Sequence, residues 1–218
     1  KVKSKKGKDA GSSTQGVKAV QVTANRSVAG LPAGVRLVGI DFRPLTGELY
    51  GVGSDSTMYK LLITGDRTAL ALSSGSFAGP ASLSGSLFGV DFNPVPDRLR
   101  IVSNAGQNLR VDPNTTTNPM PAAPMVDGAL NPGTPSVVAA AYTNSGLSSV
   151  KPASTMLYVI DQALDTLYVQ NPPNNGTLTT PVKINTDLGN DVGFDIAGTA
   201  NTAYVTNAGS DTDTPIDV

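Results

Sequence analysis

The chain contains no cysteine, no histidine and no tryptophan. Missing cysteine excludes disulfides, thiolate metal sites and a thiol nucleophile. Missing histidine excludes Ser-His-Asp chemistry, imidazole-bound zinc and an imidazole switch near neutral pH. A metal here would have to be a hard, oxygen-ligated ion, calcium being the example. Charge is also scarce: 15% of the 218 residues are charged, against about a quarter in an ordinary globular protein. Aromatic side chains make up 5%, and without tryptophan a sugar-stacking platform is disfavoured. No apolar run is long enough to span a bilayer, so membrane insertion is not expected.

What the chain does have is 23 glycines and 16 prolines. They punctuate it into short segments, which suits many strands and disfavours long helices. The charge is unevenly placed. Lys1, Lys3, Lys5, Lys6 and Lys8 crowd the start, while the rest carries 11 basic and 17 acidic groups. Residues 1–16 are therefore read as a basic flexible arm, either solvated or docking on an acidic partner. An acidic body with few aromatics does not suit nucleic acid.

Residues 17–218 read as one repeat domain. Leu37-Val38-Gly39-Ile40-Asp41-Phe42-Arg43-Pro44 returns as Leu87-Phe88-Gly89-Val90-Asp91-Phe92-Asn93-Pro94, 50 residues later. A weaker copy starts at Ala139, with Ala141 in place of the aspartate, and a fourth at Gly193-Phe194-Asp195-Ile196. Starts near 39, 89, 139 and 193 mark a propeller or solenoid period. Within a repeat, apolar runs separated by turn residues predict four short strands: about 37–43, 48–53, 58–63 and 69–72 in the first, and 137–143, 155–161, 165–170 and 177–184 in the third. Asn175-Gly176 is a hairpin signal. The fold expected is all-β, a β-propeller-like array of four-stranded antiparallel blades, four to five in number, with terminal blades incomplete or shared. In the second repeat, proline-rich residues 113–136 read as a long loop. Only Val17–Thr23 reads as a strand ahead of the first repeat, and the fourth lacks its third and fourth strands. Three explanations stay open: a fragment, chain ends that together complete one blade, or strands supplied by another subunit.

Several runs carry a family resemblance. Residues 37–44, Phe92-Asn93-Pro94, Arg98-Leu99-Arg100-Ile101-Val102-Ser103-Asn104, the run from Asp127 through Asn144, and Gln170 through Leu178 resemble the secreted family catalogued as domain of unknown function 4394. The resemblance spans roughly residues 17–208. It implies an extracellular or cell-surface bacterial protein, and it brings no catalytic residues, because the family has no established activity.

Candidate chemistry is limited. Asp41, Asp91 and Asp195 share one repeat position. On an innermost strand they would converge on the axial channel and bind calcium or a polar ligand, or else accept backbone amides of their own or the next blade. Arg98 and Arg100 share a strand face and would grip a carboxylate or phosphate, or pair with Asp91 or Asp97. Asn104, Gln107 and Asn108 read as turn chemistry. Asn25, Asn114 and Asn175 head glycosylation triplets that matter only in a eukaryotic secretory host. Asp211, Asp213 and Asp217 lack the pattern of a calcium loop. The leading expectation is a non-catalytic extracellular scaffold or recognition module, a self-assembling subunit of a surface layer or filament. Its partners would be itself or another extracellular protein, through terminal strands or the basic arm, with no cofactor. The alternative is a calcium-dependent propeller hydrolase or lyase using channel carboxylates.

Overall fold

Strands follow wherever apolar and β-branched residues run between the turn residues, and in each repeat they pair with their sequence neighbours. The computed structural model describes residues 27–64, 69–77, 79–114, 124–198, 200–207 and 214–216. The basic arm, Val17–Thr23, Asn25, Asp211, Asp213 and Asp217 lie outside the described residues.

The first blade holds β1 (Val28–Ala29), β2 (Leu37–Phe42), β3 (Leu49–Gly53), β4 (Thr57–Ile63) and β5 (Ala69–Ser76), in the sheet order β1-β5-β4-β3-β2. The second holds β6 (Phe88–Asn93), β7 (Arg98–Ser103), β8 (Asn108–Val111) and β9 (Met125–Val126), in that order. The third holds β10 (Val137–Tyr142), β11 (Leu157–Asp161), β12 (Thr166–Gln170) and β13 (Leu178–Lys183). The fourth holds β14 (Val192–Ala197), β15 (Thr202–Asn207) and β16 (Thr214–Ile216). All pairings are antiparallel except β1 on β5, which is parallel. The array of propeller-like blades expected from the repeat is what the chain forms.

Three details differ from the sequence reading. The second repeat does have a fourth strand: β9 follows the proline-rich stretch and pairs with β8 through only two residue pairs. Such a short strand surrounded by proline carries no periodic signal. The fourth repeat, read as lacking its third strand, has one: β16, paired with β15. The strand that precedes the first full repeat among the described residues is β1, too short for any pattern to reveal.

In each blade the first full strand is innermost, and β2, β6, β10 and β14 contact one another in chain order. Each sheet then presents one face forward to the next blade and one back to the previous blade. The cores are the seams between them. Tyr50, Val52, Met58 and Phe77 of the first blade meet Val90, Phe92, Leu99, Ile101, Leu109 and Val111 of the second. Val102 of the second meets Ala140, Tyr142, Leu157 and Val159 of the third. Val138, Ala139, Ala141 and Ile160 of the third meet Ile196, Ala203 and Val205 of the fourth. Each such aliphatic side chain contributes about 1.5–3 kcal/mol when removed from water. No blade could hide both of its faces alone.

Candidate functional site

Asp41, Asp91 and Asp195 sit at one position of the inner strands β2, β6 and β14. Period two along the strand sends all three to the forward face. There Asp41 Oδ2 accepts the Phe92 amide of the next blade at 2.7 Å, and Asp91 Oδ2 accepts the Tyr142 amide of the next blade at 2.7 Å. In the third blade the position is Ala141, so the corresponding amide of the fourth, Ile196, has no carboxylate reaching it from behind. Its own Asp195 Oδ1 takes it instead, at 2.7 Å. These bonds match the expectation that each aspartate serves backbone amides of its own or the next blade.

The carboxylates also feel one another. Burial pushes Asp41 up to about 7; the Phe92 amide works against this rise and the charge of Asp195 adds to it. Asp91 is nearly inaccessible. Burial, then the charge of Asp41, raise it well above the usual carboxylate range, and the two carboxyl groups hydrogen-bond to each other. The inner strands therefore do bring the three aspartates into electrostatic reach around the axis. Among the described residues, no three carboxylates form a cluster with the geometry to hold a metal ion. A cleft of about 410 Å³ opens where the inner strands begin, lined by Leu37, Phe88, Val138 and Val192 and by Arg36 and Asp191.

The two arginines do not pair as their spacing suggested. Arg98 bridges Asp112 at 2.8 Å and donates to the Pro96 and Asp97 carbonyls. Arg100, 1% exposed, donates Nη1 to Asp127 Oδ2 at 2.6 Å and to Asn108 Oδ1 at 2.7 Å, Nη2 to Asn174 Oδ1 at 2.8 Å and Nε to the Tyr142 hydroxyl at 3.2 Å. Asp91, though opposite Arg100 across the sheet, is already engaged by Asp41 and the Tyr142 amide, while Asp127 offers both oxygens. Arg110 takes the rest of Asp127, at 2.6 and 2.8 Å. This polar plug ties β7 and β8 to the third blade. Asn108 is part of it rather than of a turn, donating to the Gly128 and Pro173 carbonyls. Asn104 and Gln107 do serve the loop, accepting the amides of Ser86 and Ser84. A cleft of about 190 Å³ beside the plug is lined by Arg98, Arg100, Arg110 and Tyr142.

Sequence reasoning missed a second plug. Arg43 donates Nε to Asp97 Oδ1 at 2.8 Å, and its Nη2 bonds both Asp97 and Asn114. Burial works to raise the Asp97 carboxyl, but Arg43 and Asn114 overcome it and hold it below its ordinary value. The only signal was Arg43 standing where the second repeat has Asn93. Asn114, heading a glycosylation triplet, thus has its amide engaged. Asn175 closes a one-turn helix, Pro173–Asn175, on the loop joining β12 to β13.

An apolar cleft of about 580 Å³ lies between the 132–136 loop and the third blade, walled by Pro132, Pro135, Leu164, Tyr168 and Pro181. No helix among the described residues is long and apolar enough to cross a membrane.

No curated protein matches the chain in sequence. Among solved structures, an auxiliary nutrient binding protein from Bacteroides thetaiotaomicron is similar with a TM-score of 0.48 and 11% identity, over 82% of this chain and 47% of that one. The chain thus spans about half the length of that protein. The WD40 β-propeller domain of Doa1 aligns with a TM-score of 0.31 and 9% identity, over 85% of this chain and 97% of that one. Residues 13–217 match the family model described as Domain of unknown function (DUF4394), and the chain belongs to that family.

Proposed function

We propose that the chain is a non-catalytic extracellular scaffold and recognition module, a building block of a surface layer or filament. The observation that carries this reading is where the buried polar groups go. Asp41, Asp91, Asp97, Arg43, Arg100 and Asn108 each bond across a blade seam or close a plug beside one. Of the buried side-chain polar atoms among the described residues, Gln170 Oε1 alone has no partner. An active site holds groups in reserve for a substrate; here they are spent on architecture. The absent histidine and cysteine, the low charge and the family resemblance agree with an extracellular structural role.

The competing reading is the calcium-dependent hydrolase or lyase. It draws on Asp41, pushed up to about 7 by burial, the range in which a general base works well. Against it, Asp41 and Asp91 each give an oxygen to a backbone amide. Two measurements decide between the readings. Fractionation of the source cells with an antibody to the chain should find it at the surface or in the medium; confinement to the cytoplasm would overturn the scaffold reading. Elemental analysis of the purified chain should find no stoichiometric divalent ion, whereas one calcium per chain, lost in Asp91→Ala, would favour the enzyme.

A further inference from the structure

We propose that the cleft beside the Arg100 plug binds the carboxylate of a small organic acid, held by Arg110, Arg98 and the Tyr142 hydroxyl. The inference goes beyond the architectural role given above to this seam. It rests on the charge and the donors that the architecture leaves over.

The charge does not balance. Arg98 has its own partner in Asp112, at 2.8 Å. Arg100 and Arg110 share one carboxylate, Asp127, whose Oδ2 accepts Arg100 Nη1 and Arg110 Nε, both at 2.6 Å. The other bonds of Arg100 go to neutral groups, Asn108, Asn174 and Tyr142. Two guanidiniums on one carboxylate leave a positive charge uncompensated. That charge is not in open water: the side chains of Arg100, Asp127 and Arg110 are 1%, 7% and 26% exposed. A buried charge is costly without a counter-charge. Asp91, opposite Arg100 across the sheet, does not supply one, because burial and the charge of Asp41 favour its neutral form. Residues 115–123, between β8 and β9 in sequence, contain no charged side chain.

Donors are left over at the same place. A guanidinium has more N–H groups than one carboxylate can take. Arg110 commits Nε and Nη2 to Asp127, and among the described residues nothing accepts from its Nη1. The buried Tyr142 hydroxyl accepts Arg100 Nε at 3.2 Å, and Asn93 acts on it as a second donor. Among the described residues nothing accepts the phenol proton. Arg98, Arg110, Tyr142 and Asn93 all line the cleft of about 190 Å³, and Arg110 lies within electrostatic reach of Tyr142. Together they call for an acceptor that carries one negative charge. A carboxylate supplies that charge and two oxygens to accept from arginine and phenol. A phosphate dianion would exceed the count and leave a negative charge in the seam.

Acetate is the probe. It is titrated into the purified chain in place of chloride at constant ionic strength, with acetamide as the uncharged isostere. Backbone amides and arginine Nε–H groups are followed by NMR. The expected result is saturating shifts at Arg98 and Arg110 and along β7 and β8, with none from acetamide. Arg110→Gln balances the charge at Asp127 and should abolish the response while its melting curve remains cooperative. Tyr142→Phe removes the phenol donor and should weaken acetate binding about tenfold. Should that variant fail to fold, Arg110→Gln decides alone, and a full acetate response in it would overturn the proposal. So would absent or unsaturable shifts in the unsubstituted chain, an equal response to acetamide, or phosphate binding more tightly than acetate.

Discussion

Asp41 and Asp91 lie at one position of neighbouring inner strands, each turned toward the next blade, in surroundings that solvate a carboxylate poorly. With Asp41 raised from 3.8 to about 7 and Asp91 raised well above the usual carboxylate range, the folded chain holds protons that the unfolded chain has released. Stability from this pair is complete below about pH 4 and is lost as pH rises through about 7. Groups of the opposite sense, Glu48 held down by Lys60 and Asp97 by Arg43, act only toward the acid end of that range. The melting temperature should therefore fall between pH 5 and pH 8. Asp91→Asn keeps an acceptor for the Tyr142 amide and cannot ionise. It should melt higher than the unsubstituted chain at pH 8 and show a flatter pH profile. An unchanged slope in calorimetric scans would mean the pair does not share a proton. The shared repeat position of these aspartates could be read from the sequence, but their coupling could not. It depends on strand direction and on how little water the seam admits.

At the scale of the element, the repeat fixes backbone shape as well as side-chain pattern. The turn from the inner to the second strand ends in a left-handed residue at one repeat position: Gly47 at φ 71°, Asp97 at 60° and Asn201 at 51°. Each donates its amide four residues back, to Arg43, Asn93 and Ala197. Gly, Asp and Asn are the residues that tolerate that region, so these hairpins were legible. The strands β9, β16 and β1 were not, because segments of two or three residues show no periodicity. The plugs were hidden for another reason: Asp127 and Asn174 reach Arg100 from loops distant in sequence. The inner-strand glycine is the clearest link between pattern and packing. A Cβ on Gly89 would lie 2.5 Å from the Ala139 carbonyl carbon and 2.6 Å from the Ala140 nitrogen, so the next inner strand would have to move. At Gly39 the obstacle is the Val90 side chain, which has more freedom. Gly89→Ala should cost about 2–3 kcal/mol in denaturant unfolding and Gly39→Ala less. The reverse ranking would show that the second and third blades are not closely apposed.

Taken as a whole, the molecule is a row of blades whose stability resides in the interfaces between neighbours, as in repeat proteins generally. Among the described residues, the second and third blades have another blade on each face, whereas the back of the first is covered by Val28, Leu31, Val35 and Leu37. Local opening should follow this arrangement, since segments with fewer buried apolar contacts open at lower free energy. The slowest amide hydrogen exchange is expected in β7 and β11, which are bonded to strands on both sides and buried at Leu99, Ile101, Val102, Val159 and Ile160. Strands β2 and β15 should exchange sooner, being bounded by the exposed Ile40, Phe42 and Tyr204. Equal protection in all four blades would instead mean that the array opens as one unit.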